Sequence, residues 1–195
     1  MNREILKLAI PNIISNLSVP LLSLVDVALM GHLGSAEYIL TIGFGVMIFN
    51  FVYWGFGFLR MGTTGFTAQE CGRQDNKECL LILGRALLIA VAGALLLIAF
   101  KTPLLKLSLL LIGTTPEVNT YVADYFNIRI LAAPATIALF AFTGWFFGMQ
   151  NARIPMIITI AVNLINIGFS YWFVRVAGMK SDGVALGTLI AQYCG

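Results

Sequence analysis

Charged residues are scarce in this chain. Aspartate, glutamate, lysine and arginine make up 11% of its 195 residues, whereas 59% are hydrophobic. The mean hydropathy is +0.90. A soluble domain usually holds about 25% charged residues, so this composition excludes an ordinary soluble domain. It predicts an all-α integral membrane protein, and the lipid bilayer is its first expected partner.

Histidine and cysteine are also rare, with one and three residues respectively. The spacing of Cys71, Cys79 and Cys194 is not typical of a metal or redox site, so we interpret them as small residues near helix ends. His32 lies in GHLGS, and we interpret it as a turn or interface residue. A membrane enzyme would need a second catalytic acid, a metal-binding cluster or a nucleophile with its base. Since none of these is visible in the sequence, we expect neither an enzyme nor a cofactor.

The positive charges form no run. Twelve lysines and arginines against nine acids give a net charge of +3, but the basic residues are dispersed along the chain. A nucleic-acid-binding segment would cluster them. We therefore expect no nucleic-acid partner.

Six apolar segments are candidate membrane helices, since about 20 residues cross roughly 30 Å of hydrocarbon. The predicted helices cover 5–33, 37–68, 79–100, 116–149, 154–177 and 183–195. The segment 101–117 is predicted to be looser, because Pro103 breaks the helix there. Pro116 is expected to open the fourth helix, with Thr115 as its N-cap.

The sixth predicted helix is too short to cross a bilayer. Residues 183–195 would extend only about 20 Å at 1.5 Å per residue. We therefore expect a longer protein, or a partner that completes the span.

Basic residues in the loops favour a cytoplasmic N-terminus and a multi-pass protein of the cytoplasmic (inner) membrane. The N-terminal side would hold six of them, and the opposite side four. These are Arg3, Lys7, Arg73, Lys77, Arg85 and Arg153 against Lys101, Lys106, Arg175 and Lys180.

A carboxylate lies inside the first predicted helix. Burying Asp26 in a bilayer costs roughly 3 kcal/mol on insertion scales, and such acids usually handle an ion or a proton. Pro11 and Pro20 lie in the same helix. They help a transporter helix to bend, although a static kink fits the sequence equally well.

Polar residues also follow one face of the fifth predicted helix. Asn163, Asn166 and Ser170 are spaced i, i+3 and i+7, and Thr188 lies in the sixth helix. Together with Asp26 they supply oxygen ligands suited to a cation or a proton. The alternative is that Asn163 and Ser170 only join neighbouring helices by hydrogen bonds.

Two arginines lie in or near the predicted spans. Arg60 and Arg129 are interpreted as structural, either paired with acids such as Glu70 or Asp124 or extended to an interface.

Several motifs together resemble the multidrug and toxic compound extrusion (MATE) family, in its DinF-like branch. They cover essentially the whole chain. They are AIPNIISN, PLLSLVDVALMGHLGS, FLRMGTTGFTAQ, YFNIRILAAPA, GWFFGMQNARIPM, VNLINI and GVALGTLIAQY.

The resemblance implies a twelve-helix transporter with two six-helix lobes, of which this chain would be the N-terminal one. Such proteins export cationic or amphipathic compounds against an inward flow of protons or sodium ions. The family's functional aspartate, asparagine and threonine match Asp26, Asn166 and Thr188. Many members carry a second aspartate where this chain has Ser170. That difference weakens the case for sodium binding near Asp26 and Asn166 and for a proton relay of two acids.

We therefore expect one lobe of a cation-coupled antiporter, with the proton favoured over sodium. Asp26, Asn166, Ser170 and Thr188 are the predicted coupling-ion site, and Asn163 is predicted to line the substrate cavity. The expected partners are small organic cations and a C-terminal lobe that this chain lacks. The alternative hypothesis is a truncated scaffold without transport activity, or a half-transporter that needs a partner lobe.

Overall fold

The computed structural model describes residues 2–31, 36–113 and 115–195, with the backbone alone for residues 2–8. The predicted turn around His32 lies outside the described residues. Within them, all regular structure is helical. The helices are α1 Asn2–Gly31, α2 Ala36–Trp54, α3 Gly57–Gly72, α4 Asn76–Ala99, α5 Lys101–Ile112, α6 Pro116–Arg129, a 3-10 turn Ile130–Ala132, α7 Ala133–Gly148, α8 Arg153–Arg175 and α9 Ser181–Cys194.

Five stretches of the described residues are long and apolar enough to cross a membrane. They are Ala9–Gly31, Ala36–Trp54, Asn76–Ala99, Pro116–Gly148 and Arg153–Arg175. The predicted sixth helix corresponds to α9, which begins at Ser181 rather than at residue 183. Its 14 residues fall short of the roughly 20 that a crossing needs.

The second predicted helix, 37–68, is wrong as a single element. It is interrupted at Gly55 and Phe56, between α2 and α3. The backbone turns tightly there, with the Phe56 N–H donating to the Tyr53 carbonyl at 2.9 Å. A side chain on Gly93 of α4 would collide with the Phe56 ring. The missing side chain therefore lets the ring pack against α4 at the point where the helix breaks.

The segment predicted to be loose, 101–117, is largely helical. Pro103 lies in the first turn of α5, where a proline costs no helical hydrogen bond. Gly113 ends α5 in the left-handed conformation, with φ of 64°. Pro116 opens α6 as predicted and Thr115 is its N-cap residue, but the Thr115 side chain makes no capping hydrogen bond.

The fourth predicted helix is interrupted just before Pro134. The 3-10 turn Ile130–Ala132 separates α6 from α7, and Pro134 lies at the start of α7. This break adjoins the one between α2 and α3, because α2 packs on α6 while α3 packs on α7. Two neighbouring helices are thus interrupted together.

The helices surround a space bounded mainly by α1, α7 and α8. α8 packs against α1 and α9, while α3 and α4 both pack against α7. Phe49, Tyr125 and Phe126 form part of a buried aromatic core on one side. Most apolar side chains in the described part of α1 are exposed.

Candidate functional site

A cavity of about 330 Å³ lies between α1, α7 and α8, and four of the five predicted site residues line it. They are Asp26 of α1, Asn163 and Asn166 of α8, and Thr188 of α9. Residues far apart in the sequence thus share one polar space inside the bundle. The fifth predicted residue, Ser170, is not among the lining residues.

Asp26 is buried without a complete set of partners. The residue is 6% exposed, and its Oδ1 accepts no hydrogen bond from the residues that the structure describes. An isolated buried carboxylate is strongly destabilising. A proton or a cation that entered the cavity would lower that cost.

Asn166 joins α8 to α9. Its Nδ2 donates to Thr188 Oγ1 at 3.0 Å, and its Oδ1 accepts a hydrogen bond from Ser170 Oγ at 2.9 Å. Thr188 in turn donates to the Val184 carbonyl at 2.9 Å. All three side chains are thereby oriented, and the Asn166 amide is held at the cavity wall.

Ser170 lies behind Asn166 rather than in the cavity. It is fully buried and faces Gly187 of α9, where an added Cβ would lie 2.6 Å from Ser170 Oγ. The structure therefore places it as a support for Asn166, at a close contact between two helices.

Asn163 both lines the cavity and forms a hydrogen bond between helices, the two alternatives that the sequence left open. Its Nδ2 donates to Ser18 Oγ of α1 at 2.9 Å, and the residue also lines the cavity. It therefore joins α8 to α1 while presenting polar atoms to the interior.

Arg129 is the residue whose position the sequence interpretation missed. It lines the same cavity as Asp26, donates to the Tyr125 hydroxyl and lies 5.0 Å from the centroid of the Phe49 ring. Glu70 pairs with Arg73 instead, at 2.9 Å. Arg129 thus places a positive charge on the cavity that holds the Asp26 carboxylate.

A signal for Arg129 was present in the sequence. The residue lies inside the fourth predicted helix, where the cost of burying a charge applies as it does to Asp26. Arg60 also lines the cavity, but it is exposed. In the part of the chain that the structure describes, the charged residues that line the cavity are thus one acid, Asp26, and two arginines.

Metal-ligating side chains do not cluster in the described ranges. Nowhere in them do three histidine, cysteine, aspartate or glutamate residues lie together. The oxygen atoms around the cavity come instead from one carboxylate, amides and hydroxyls, and the nitrogen atoms come from amides and from the guanidinium groups of Arg60 and Arg129. Such atoms suit a transient cation or proton better than a tightly bound transition metal.

Comparison with known families identifies the fold. A family model described as MatE matches residues 11–172, most of the chain. The chain belongs to the MatE family. The resemblance seen in its motifs is thereby confirmed.

The MatE chain has relatives in bacteria and animals. It is 38% identical over 186 residues to DNA damage-inducible protein F of Escherichia coli, a match that covers 95% of this chain and 40% of the relative. It is 33% identical over 197 residues to multidrug and toxin extrusion protein 1 of Homo sapiens, covering 98% and 33%. The chain therefore spans about two fifths or less of the length of these relatives.

A solved structure has the same fold. It is described as the outward-facing conformation of a multidrug resistance MATE family transporter of the MOP superfamily. The TM-score is 0.90 at 19% identity, and the match covers 98% of this MatE chain and 42% of that one. The helical arrangement described above is therefore that of one lobe of such a transporter.

Proposed function

We propose that this chain is the N-terminal lobe of an antiporter that exports organic cationic or amphipathic compounds from the cell. Export would be driven by a cation that flows inward through the same protein. The observation that carries the proposal is the buried, unpartnered Asp26 oxygen on a cavity inside the bundle. The names of the relatives, which refer to multidrug and toxin extrusion, support the same activity.

The coupling ion is proposed to be a proton rather than sodium. Sodium binding normally needs several oxygen ligands around the ion, whereas Asp26 is the single acid among the described residues that line the cavity. Ser170 Oγ is committed to Asn166 at 2.9 Å. The Arg129 guanidinium also opposes a second permanent cation near Asp26. A proton neutralises the carboxylate without adding an ion that needs a coordination shell.

Each proposed site residue has a separate role. Asp26 takes up and releases the coupling proton, while Asn166 and Thr188 form the polar wall beside it. Ser170 holds the Asn166 amide in place. Asn163, just under one helical turn from Asn166, contacts the transported compound and links α8 to α1.

Movement of α1 would couple the proton to the transported compound. Neutralising Asp26 changes its attraction to Arg129 and the cost of its burial, which biases two arrangements of the cavity. Pro11 and Pro20 lie within α1 and leave backbone carbonyls without their helical donors. They are the positions at which α1 would bend.

Transport would require a second lobe. In transporters built from repeats, the bound compound lies at the interface between the repeats. We propose that the C-terminal lobe provides the other wall of the cavity. The membrane would be the cytoplasmic (inner) one with a cytoplasmic N-terminus, in agreement with the six basic residues on that side.

The test is export of a fluorescent organic cation from cells that express the full-length protein containing this chain. Asp26→Asn should abolish export while leaving the amount of protein in the membrane unchanged. Asp124→Asn is the matched control, because it makes the same chemical change at an exposed carboxylate of α6. Undiminished export by the Asp26→Asn protein would refute the proposed role of Asp26.

The same assay distinguishes the coupling ions. Collapse of the proton gradient alone should stop export, whereas replacing sodium should not. Dependence on sodium alone would instead require Asn166, Thr188 and one carboxylate to bind the ion.

A further inference from the structure

Two cysteines meet where α3 ends and α4 begins. Cys71 Sγ lies 3.2 Å from Cys79 Sγ, although eight positions separate them in the sequence. Their spacing in the sequence is not typical of a redox site and indicates small residues near helix ends, so their contact is a finding of the structure. A disulfide has an S–S length near 2.05 Å, which the two sulfurs would reach by approaching about 1.2 Å.

We propose that Cys71 and Cys79 form a reversible oxidation site, which a peroxide converts into a disulfide between α3 and α4. The inference does not depend on the transport activity proposed above, but its reduced resting state rests on the cytoplasmic N-terminus proposed there. It rests on the turn that brings the thiols together, on their unequal exposure and on the helices that they would join.

The turn between α3 and α4 is fixed by local hydrogen bonds. Gln74 adopts a left-handed backbone conformation with φ of 61°, and its N–H donates to the Cys71 carbonyl at 3.1 Å. The Asp75 carboxylate caps α4 by accepting from the backbone N–H groups of Lys77 and Glu78, at 3.1 and 3.0 Å. The two cysteines are therefore held near each other by a built turn rather than by a loose loop.

The two thiols differ in access and in support. Cys71 is partly exposed, whereas Cys79 is 4% exposed. The Trp145 indole of α7 donates to the Cys79 carbonyl at 2.9 Å and holds that part of α4 in place. Cys71 is thus the thiol that meets an oxidant from solution, and Cys79 is the one that resolves the product.

Oxidation by a peroxide would proceed in two balanced steps. The Cys71 sulfur attacks one peroxide oxygen, the O–O bond breaks, and a sulfenic acid forms as water leaves with the thiol proton. The Cys79 sulfur then attacks the sulfenic sulfur. The S–S bond forms, the S–O bond breaks, and the departing hydroxide takes the Cys79 proton to give a second water. Two thiols and one peroxide thus become one disulfide and two waters.

The location of the pair favours a thiol resting state. α1 and α2 are each long and apolar enough to cross a membrane. With α1 as one crossing and α2 as the return, α3 and the cysteine pair would follow on the side where α1 begins. With the cytoplasmic N-terminus proposed above, that side is the reducing one, where thiols persist and disulfides form only transiently. The pair would then be oxidised only when peroxide rises.

The disulfide would restrain two helices beside a groove. An apolar groove of about 400 Å³ separates α3 from α4, and Glu70 and Glu78, next in sequence to the two cysteines, line it. Both helices also pack against α7. A bond at this end would limit how far α3 and α4 can separate, which gives the oxidation a structural consequence.

Peptide mapping of the full-length protein in native membranes tests the proposal. Membranes are treated with hydrogen peroxide, free thiols are blocked with N-ethylmaleimide, and trypsin is added without a reductant. Trypsin should release Cys71 in the peptide 61–73 (MGTTGFTAQECGR) and Cys79 in the peptide 78–85 (ECLLILGR). We expect these two peptides to appear joined, lighter by two hydrogens than their sum, and to separate on reduction.

Two variants serve as controls. Cys194→Ser should not change the linkage. In the double variant Cys71→Ser/Gly72→Cys the thiol moves by one helical position, which turns it by about 100° around α3. An added Cβ at Gly72 meets no atom within 4 Å, so this variant should fold. We expect it to link to Cys79 at least tenfold more slowly.

Two results would overturn the proposal. One is recovery of both peptides as maleimide adducts at a peroxide concentration that already oxidises free glutathione added to the same membranes. The other is equally fast linkage in the displaced variant, which would mean that the geometry of Cys71 is not special.

Discussion

A single methyl group added at Gly187 should force α8 and α9 apart. An ideal Cβ at this position would lie 2.6 Å from Ser170 Oγ and 2.8 Å from the Ser170 backbone nitrogen. The hydroxyl can rotate away, but the backbone nitrogen cannot. Gly187→Ala therefore has to displace one helix from the other, next to the hydrogen bond between Asn166 and Thr188.

The expected cost follows from three contributions. Overpacking a well-packed contact costs about 1–3 kcal/mol, and weakening the Asn166–Thr188 hydrogen bond costs about 0.6 kcal/mol more. Replacing glycine by alanine in a helix returns at most about 1 kcal/mol. With all three contributions, we expect Gly187→Ala to lower the free energy of unfolding by about 0.6–2.6 kcal/mol.

Gly168→Ala is the matched control within α8. Gly168 is exposed, and an added Cβ there meets no atom within 4 Å. This variant should be neutral or stabilised by up to about 1 kcal/mol. Both proteins would be unfolded by titration with sodium dodecyl sulfate in mixed micelles, and their export activity would be measured in cells. Equal stability of the two variants would refute the close α8–α9 contact.

Two further perturbations address the cavity wall. Arg129→Gln removes a positive charge that opposes organic cations near Asp26, so the KM for a fluorescent cation should fall, whereas Arg129→Lys should keep the original KM. A tenfold fall in KM would correspond to about 1.4 kcal/mol of relieved repulsion. An unchanged KM in the glutamine variant would show that the charge does not act on the transported compound. A double-mutant cycle with Asn163→Ala and Ser18→Ala should give a coupling free energy of about 0.6 kcal/mol, which is typical of hydrogen bonds between membrane helices. Unfolding of the four proteins measures this coupling free energy. A value near zero would mean that the hydrogen bond does not hold α1 to α8.

The sequence predicted the parts of the site that carry a high cost of burial. Asp26 was predicted as a site residue because a carboxylate is costly to bury in a membrane helix. In the structure it lines the cavity. The helical period placed Asn163, Asn166 and Ser170 on one face of α8. The period does not say which helix each side chain meets, so it could not separate Ser170 from the cavity residues.

The missed features depend on contacts between distant parts of the chain. Glycine is common in membrane helices, so Gly55 and Gly57 did not indicate a helix end. The break between α2 and α3 involves the Phe56 ring, which packs on Gly93 of α4. The contact between Cys71 and Cys79 likewise depends on a turn at Gln74, whose backbone is left-handed. Rules based on cysteine spacing do not predict such a turn.

The depth of Asp26 in α1 has an electrical consequence. In the span Ala9–Gly31, the carboxylate lies roughly 8 Å along the helix from the Gly31 end and roughly 26 Å from the Ala9 end. A charge that crosses a whole membrane exchanges about 2.3 kcal/mol per 100 mV. At 100 mV, a proton that reaches Asp26 from the Gly31 side therefore gains only about 0.5 kcal/mol of electrical free energy. The remaining part, about 1.8 kcal/mol, is gained when the proton is released toward the other side. For the proposed coupling proton, the membrane voltage would thus act chiefly on its release, and the concentration difference would govern its uptake.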